Sequence, residues 1–172
     1  MKKKIVILLM ILTLVTLNSC SLIGEKTVIT DNTGKLADAR MEQIMSAIKS
    51  KDKGALTSLF SKKALGKAAD LDGGIDYLFD FIQGDIISWS RDGISSDESD
   101  QYGKKTLMIR FTITIHTNKD DYALYVIDYA EDTINPDNEG VYMLQILKTA
   151  DENNQPSWQE RMRPGIYMPK DQ

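Results

Sequence analysis

Asp128 is the carboxylate of this sequence that is best placed for acid–base chemistry. It lies on a predicted strand from Tyr122 to Tyr129 whose two faces are both largely apolar. Burial disfavours the charged form of a carboxyl group, so we expect a raised pKa and a capacity to act as a base. The alternative is an Asp at a strand end that reaches water or a backbone group. Asp128 is therefore the candidate catalytic residue, with both interpretations open.

His116 is the only histidine in the sequence. A general base or a metal ligand is one interpretation. Alternation along its predicted strand, however, places it on the polar face beside a turn at Asn118, which favours a surface position. A site built from several histidines is excluded by their number. The segment from Asn135 to Gly140 resembles the start of a calcium loop, but Ile146 occupies the place of the bidentate Glu. We expect no metal and no cofactor.

Aromatic residues with polar tips are frequent in the second half of the chain. Such side chains suit ligand pockets and protein interfaces, although they also suit β-sheets in general. We expect a ligand site in an aromatic-lined cleft between the third predicted helix and the sheet. Its candidate ligand-binding residues are Phe79, Trp89, Tyr125 and Tyr129.

Cys20 is the only cysteine, and it follows a hydrophobic leader. Three lysines precede an apolar stretch from Ile5 to Leu17, which is the pattern of a secretory signal. The stretch ends Leu17-Asn18-Ser19-Cys20, which resembles the bacterial lipobox. The sequence therefore predicts cleavage before Cys20 and lipidation of its thiol. Two acyl chains are enough for stable membrane anchoring, whereas one holds only marginally.

The lipobox divides the chain into three predicted parts. Residues 1–19 form a signal peptide, residues 20–34 form a lipidated Cys and a flexible tether, and residues 35–172 form a single domain. The predicted location is the extracytoplasmic face of the cell membrane. With one cysteine the chain can form no internal disulfide, so stability must come from the core.

The charge of the mature chain excludes one class of partner. The precursor has 21 Lys and Arg against 25 Asp and Glu, and removal of three leader lysines leaves 18 against 25, a net charge of −7. An acidic surface repels nucleic acid and anionic headgroups. We expect no nucleic-acid partner and no polybasic membrane-binding face, so that the lipid on Cys20 makes the membrane contact.

Helical periodicity dominates the first half of the domain. A first helix is predicted from Lys35 to Lys49, with Asn32 or Thr33 as its cap. Asp52 is predicted to cap a second helix. Asp72 is predicted to cap a third helix, which ends before Gly84.

The period changes to two after Gly84, which indicates strands. Asp92-Gly93 is predicted to be a turn, and the segment from Ser95 to Tyr102 an acidic loop. The clearest strand runs from Lys105 to Thr117 and has one apolar face, formed by Leu107, Ile109, Phe111, Ile113 and Ile115. Further strands are predicted at Asp85 to Ser90, Tyr122 to Tyr129, Val141 to Thr149 and Trp158 to Tyr167. Helices followed by an antiparallel meander predict an α+β fold in which the helices pack on a strongly curved sheet.

Three segments resemble the opening of nuclear transport factor 2-like domains. They are Arg40-Met41-Glu42-Gln43-Ile44, the segment from Ser50 to Leu56, and Leu59-Phe60-Ser61. The resemblance implies a cone in which helices and a bent sheet enclose a pocket that is catalytic, ligand-binding or simply packed. It fixes no functional residue in this sequence. The lipobox, with the segments from Asn135 to Tyr142 and Leu144 to Ile146, resembles a family of uncharacterised lipoproteins of Gram-positive bacteria.

Three functions follow as alternatives. The first is a lipid-anchored binding or interaction module for a small amphipathic ligand or an envelope protein. The second is an isomerase- or dehydratase-like enzyme that uses Asp128 as base and a Tyr as donor. The third is a structural envelope protein that forms a homodimer through the outer sheet face. The state of the cone interior discriminates among them, since a filled interior favours the third.

Overall fold

The computed structural model describes residues 31–154 and 162–168. In that part of the chain, four α-helices precede a five-stranded mixed sheet with strand order β1-β2-β3-β4-β5. The predicted α+β class is confirmed. The helices are α1 (Asp31–Ser50), α2 (Lys53–Leu59), α3 (Lys62–Lys67) and α4 (Leu71–Phe81); the strands are β1 (Ile86–Gln101), β2 (Lys104–Thr117), β3 (Asp121–Asp132), β4 (Gly140–Lys148) and β5 (Gly165–Tyr167).

The helix α1 begins four residues before the predicted start. The residues Asn32 and Thr33, predicted as caps, belong to its first turn, and the side chain of Thr33 is buried. Burial of Thr33 and Ala37 extends the packed face of the helix toward its N-terminus, into the segment predicted as tether. Local sequence does not show this extension, because the partner surface that buries these residues comes from elsewhere in the fold.

Side-chain caps define the starts of the shorter helices. Asp52 accepts a hydrogen bond of 2.8 Å from the backbone N–H of Ala55, which confirms the predicted cap of α2. The predicted cap of the last helix is wrong: Asp70, not Asp72, accepts from the backbone N–H of Gly73 at 2.9 Å. Asp72 therefore lies in the first turn of α4, where its negative charge interacts favourably with the positive end of the helix dipole. The helix α3, which no periodicity predicted, begins at a Ser61 cap.

The first strand corrects the prediction of a turn at Asp92-Gly93. The strand β1 continues through this dipeptide and pairs with β2 as far as Gln101. Gly93 has φ +53° and lies where the pairing register shifts, which is a β-bulge. The segment predicted as an acidic loop is thus the second half of β1. The actual turn is Tyr102-Gly103, with φ values of +55° and +78°.

The inner face of the sheet packs against the helices. Ile109, Phe111, Ile113 and Ile115 are all buried in the main core, as their alternation predicted, and Leu107 is partly buried against it. Helical residues fill the space opposite, and the largest fully buried ones are Ile44, Met45, Leu56, Ile75 and Leu78. The interior between helices and sheet is therefore a packed core.

The outer face of the sheet is also covered along its centre. Ala123, Ile127, Met143 and Leu147 are buried but lie outside the main core cluster. Gln145 is fully buried on the same face. The prediction that β3 is covered on both sides is thus confirmed.

The last strand departs from the antiparallel meander. The strand β5 pairs with β4 in parallel, and this pairing covers the edge of the sheet nearest to α4. Part of the strand predicted from Trp158 to Tyr167 lies outside the described residues. The part that is described forms one wall of the cleft considered next.

Candidate functional site: the cleft between α4 and β5

A cleft of about 600 Å³ opens between the helical layer and the last strand. Its walls come from the α3–α4 connection, from Tyr77 of α4 and from the C-terminal segment. The residues that line it are Lys67, Ala68, Ala69, Asp70, Tyr77, Arg163, Pro164, Ile166, Tyr167 and Met168. The lining of the cleft, hereafter the α4–β5 cleft, thus combines apolar side chains with phenol and cationic groups.

Two glycines allow the walls to approach closely. A Cβ atom on Gly74 would lie 2.9 Å from the Cβ of Ile166, and one on Gly165 would lie 2.7 Å from the Cβ of Ala68. Gly165 also has φ +94°, which L-residues with side chains rarely adopt. The position of β5 against α4 and the α3–α4 connection therefore depends on the absence of side chains at both places.

An aromatic chain connects the cleft to the core. The ring of Tyr77 lies 5.4 Å from that of Phe81, which lies 5.8 Å from that of Tyr122 in an edge-on arrangement. The hydroxyl of Tyr122 accepts a hydrogen bond of 2.9 Å from the backbone N–H of Gln83. Burial raises the pKa of Tyr77 above its ordinary value of 10.0, at which a phenol is already a neutral donor at physiological pH. The phenol at the cleft wall is thus held by packing.

The charged groups of the cleft are predominantly cationic. The guanidinium of Arg163 lies over the ring of Tyr167, 5.7 Å from its centroid. Asp70 is already engaged as the cap of α4. In the part of the chain that the structure describes, neither Lys67 nor Arg163 has a carboxylate within 4.0 Å, and both line the cleft. The cleft can therefore offer positive charge to a ligand.

Asp128, the candidate catalytic residue, lies in the helix–sheet interface and not in a cavity described here. Its Oδ1 is 2.9 Å from Nε of Arg40, and its side chain is 3% exposed. Burial raises its pKa, as expected, while the Arg40 charge opposes the shift. The prediction of a raised pKa is confirmed in direction. Asp128 is paired with Arg40 and buried between the helices and the sheet, so a substrate could not reach its carboxylate in this structure.

The four aromatic residues predicted to line one cleft do not come together. Phe79 is buried in the core. Trp89 packs beside α1, where its indole N–H donates to Glu42 and Lys49 lies 5.4 Å from its ring centroid.

Tyr125 and Tyr129 lie on the opposite face of the sheet. The hydroxyl of Tyr125 donates to Glu152 at 2.8 Å. Tyr129 packs edge-on against Tyr142 at a centroid distance of 5.9 Å. The predicted location between the third predicted helix and the sheet does contain a cleft, but its aromatic residues are Tyr77 and Tyr167. A signal for these residues was present in the sequence: Gly73-Gly74 at the start of a helix indicates a close approach by another backbone.

His116 lies in a groove on the outer sheet face, as its predicted polar position required. Its Nδ1 is 2.9 Å from Oδ1 of Asp121. The groove holds about 370 Å³ beside the Gly93 bulge and adjoins a second depression of about 450 Å³ at Arg110. Its polar groups are largely paired with one another, since Arg110 contacts Asp97 and Thr114 donates to Asp92. These pairs make the outer groove a poorer ligand site than the α4–β5 cleft.

Asp132, the last residue of β3, organises the loop before β4. Burial would raise its pKa, but hydrogen bonds from the Asn138 side chain and from the backbone N–H groups of Asn135 and Ile134 hold the pKa below its usual value. Among the residues described, no group of three or more His, Cys, Asp or Glu side chains is arranged to hold a metal ion. The loop between β3 and β4 is therefore built around hydrogen bonds to the Asp132 carboxylate.

Comparison with known proteins places this chain in one family. Residues 43–149 match the family DUF5104, a domain of unknown function, and the chain belongs to that family. No curated protein matches. The matched range covers the last eight residues of α1, the three shorter helices and the first four strands. Cys20 and the predicted signal peptide lie outside the described residues, and within those residues no helix is both long and apolar enough to cross a membrane.

Proposed function

We propose that the protein is a lipid-anchored, extracytoplasmic binding module and that the α4–β5 cleft is its ligand site. The filled helix–sheet interior is the condition that, at the level of the sequence, favours the structural homodimer over a cone pocket. The observation that carries the binding proposal instead is an open, amphipathic cleft outside that interior. Concave sites with apolar walls and a few polar groups are the usual form of small-molecule sites. The fold is compatible with a nuclear transport factor 2-like cone whose central pocket is packed.

The lining of the cleft suggests the chemistry of its ligand. Ile166, Pro164 and Met168 offer apolar surface, while Tyr77 offers a hydroxyl. Lys67 and Arg163 favour negative charge. The ligand class that fits is a small amphipathic molecule with an apolar body and one anionic group.

Anchoring is supported by the leader and by the Leu17-Asn18-Ser19-Cys20 motif. Mass spectrometry of the protein purified from its own membranes should show a diacylated Cys20 at the N-terminus, together with any retained ligand. A Cys20→Ala variant is expected to lose lipid-dependent membrane retention. An unmodified Cys20 in the native protein would contradict the anchoring part of the proposal.

Ligand binding can be tested with anilinonaphthalene sulfonate, a probe with an aromatic body and an anionic group. Calorimetry is expected to show one saturable site, and dodecanoate should compete for it. Loss of one charge-assisted contact in Arg163→Gln should weaken binding about tenfold or more. Lys119→Gln, which makes the same charge change far from the cleft, is the matched control. Equal binding by both variants would remove the cleft from the proposal.

A further inference from the structure

A groove on the outer face of the sheet is negatively charged at one end and apolar at the other. Depressions of about 370 Å³ and about 450 Å³ adjoin there, and Thr112 of β2 lines both. We call the two depressions together the β2 groove. It shares no lining residue with the α4–β5 cleft among the residues described, so it is a separate concave site.

The charged end of the β2 groove gathers carboxylates from three parts of the chain. The strands β1 and β3 contribute Asp92 and Asp121, and a short 3-10 helix after β4, Thr149–Asn154, contributes Glu152. The bulge at Gly93 lies in the wall beside Asp92, and no atom lies within 4 Å of a Cβ built on this glycine. The bulge therefore leaves this end of the groove open.

Two of these carboxylates are hydrogen-bonded but not neutralised. The hydroxyl of Thr114 donates to Asp92, and the hydroxyl of Tyr125 donates to Glu152 at 2.8 Å. In the described ranges, neither carboxylate has a lysine, arginine or histidine nitrogen within 4.0 Å. A hydroxyl donor leaves the negative charge in place and uses one of about four acceptor positions of a carboxylate. These pairs thus leave few donors for an anionic ligand, while acceptors remain for a cation.

The other charged groups that line the groove pair with acidic partners. Nδ1 of His116 lies 2.9 Å from Oδ1 of Asp121, and the guanidinium of Arg110 contacts the carboxylate of Asp97. The charge of Arg110 is therefore balanced by its partner, and Asp121 would balance the imidazole if it were protonated. The negative charge of Asp92 and Glu152 remains uncompensated by the described lining.

The other end of the groove is apolar. Ile94, Ile127 and Met162 line it, and Met162 is 43% exposed, which is a high value for a large apolar side chain. Arg110 lies at this end and Thr114 at the charged end. Both belong to β2 and are four residues apart, which corresponds to about 13 Å along a strand. The groove therefore fits an elongated ligand whose charged and apolar parts are separated by about that distance.

We propose that the β2 groove binds a small organic cation, with its ammonium group at Asp92 and Glu152 and its apolar body against Ile94, Ile127 and Met162. The site has a ligand preference opposite in charge to that of the α4–β5 cleft. Because the two sites share no lining residue among those described, this inference does not rest on the proposed function, and the failure of either leaves the other standing.

The test titrates the full protein with dansylcadaverine, in which a naphthalene body is joined by a flexible alkyl chain to an ammonium group. Calorimetry is expected to show one saturable site whose affinity falls as salt is added. Dansylamide, which has the same ring system without the ammonium group, should bind about tenfold more weakly or less tightly still. Anilinonaphthalene sulfonate should not displace dansylcadaverine, since it belongs to the α4–β5 cleft.

The variant Asp92→Asn/Glu152→Gln removes both charges but keeps oxygen acceptors for the hydroxyls of Thr114 and Tyr125. It should bind dansylcadaverine at least about tenfold more weakly than the wild type. The matched control is Glu98→Gln/Asp100→Asn, which makes the same chemical change on β1, starting about 20 Å along the strand from Asp92. That separation exceeds the screening length of about 10 Å, so the control should bind as the wild type does.

Thermal unfolding of both double variants checks that each is folded, and the comparison with dansylamide needs no variant at all. The absence of saturable binding, equal affinity of the two double variants, or equal affinity for dansylamide and dansylcadaverine would overturn the inference. Sedimentation identifies one rival occupant: a dimer that does not bind the probe would assign the groove to a second copy of the chain and overturn the inference as well.

Discussion

Arg40 and Asp128 form an ion pair across the interface between α1 and β3. Nε of Arg40 lies 2.9 Å from Oδ1 of Asp128, and their side chains are 22% and 3% exposed. Among the described residues, neither of these two atoms has a partner with hydrogen-bond geometry, so the contact between them is an ion pair. The pair therefore fixes where the helix crosses the sheet, and Asp128 depends on Arg40 for compensation of its buried charge.

Breaking this pair from the arginine side should destabilise the protein strongly. Arg40→Met leaves a buried carboxylate without its partner, for which we expect a loss of about 3–5 kcal/mol in the free energy of unfolding. The double variant Arg40→Met/Asp128→Leu removes both charges and should recover most of that loss. Urea unfolding of the two variants measures the difference. A single variant as stable as the wild type would show that the pair is not a structural element.

The raised pKa of Asp128 predicts a pH dependence with a definite sign. Above the ordinary value of 3.8, the unfolded state releases the proton of this carboxyl group while the folded state retains it. The folded state then binds more protons, so the contribution of Asp128 to stability decreases as pH rises through that interval. Unfolding free energies of the wild type minus those of Asp128→Asn should fall as pH is raised from 3.8. A difference that rises with pH would show that Arg40 outweighs burial.

The close approach between β5 and α4 predicts that three glycines respond differently to the same substitution. Gly74→Ala and Gly165→Ala should destabilise β5, and Gly165→Ala should cost about 1–3 kcal/mol because it adds backbone strain. Gly66→Ala is the control, since no atom lies within 4 Å of its added Cβ and the residue is helical. We expect it to be neutral or to stabilise by about 0.5–1 kcal/mol. Thermal unfolding checks all three, and probe binding to the cleft should weaken only in the first two.

The turn between β1 and β2 carries strain that can be relieved. Tyr102 has φ +55° and is fully exposed, so its ring gains no burial in return. Asn tolerates this conformation better than Tyr, and Asn-Gly is the favoured pair for a two-residue hairpin. Tyr102→Asn should raise the unfolding free energy by about 1 kcal/mol, whereas Gly103→Ala should lower it. The opposite order in a thermal unfolding series would contradict the assigned turn.

Period-two alternation predicted the buried face of β2 because burial there follows directly from strand geometry. Asp52 was predicted as a cap for a similarly local reason. The bulge at Gly93 was misread as a turn, since a glycine at positive φ serves both structures and only the pairing with β2 separates them. The helix α3 has a single buried residue, Ala64, and thus too little apolar pattern to be detected.

The site was harder to predict than the fold. Alternation assigns a residue such as Tyr125 to a face of the sheet, but it does not say which helix or loop covers that face. Tyr167 belongs to a strand of three residues whose parallel partner is fixed only by tertiary packing. The residues of the cleft therefore come from segments that carry little periodic signal of their own.

Among the described strands, the long strand β1 lies at the margin of the sheet, and backbone groups that no described strand pairs with invite a second chain. Its second half carries Asp97, Glu98 and Asp100, all exposed, and the bulge at Gly93 interrupts its regular backbone. A second copy that paired through its own strand β1 would place its carboxylates against these carboxylates, and the two strands would repel each other. The acidic stretch thus protects the protein from joining copies of itself into a continuous sheet, which matters for molecules concentrated on a surface.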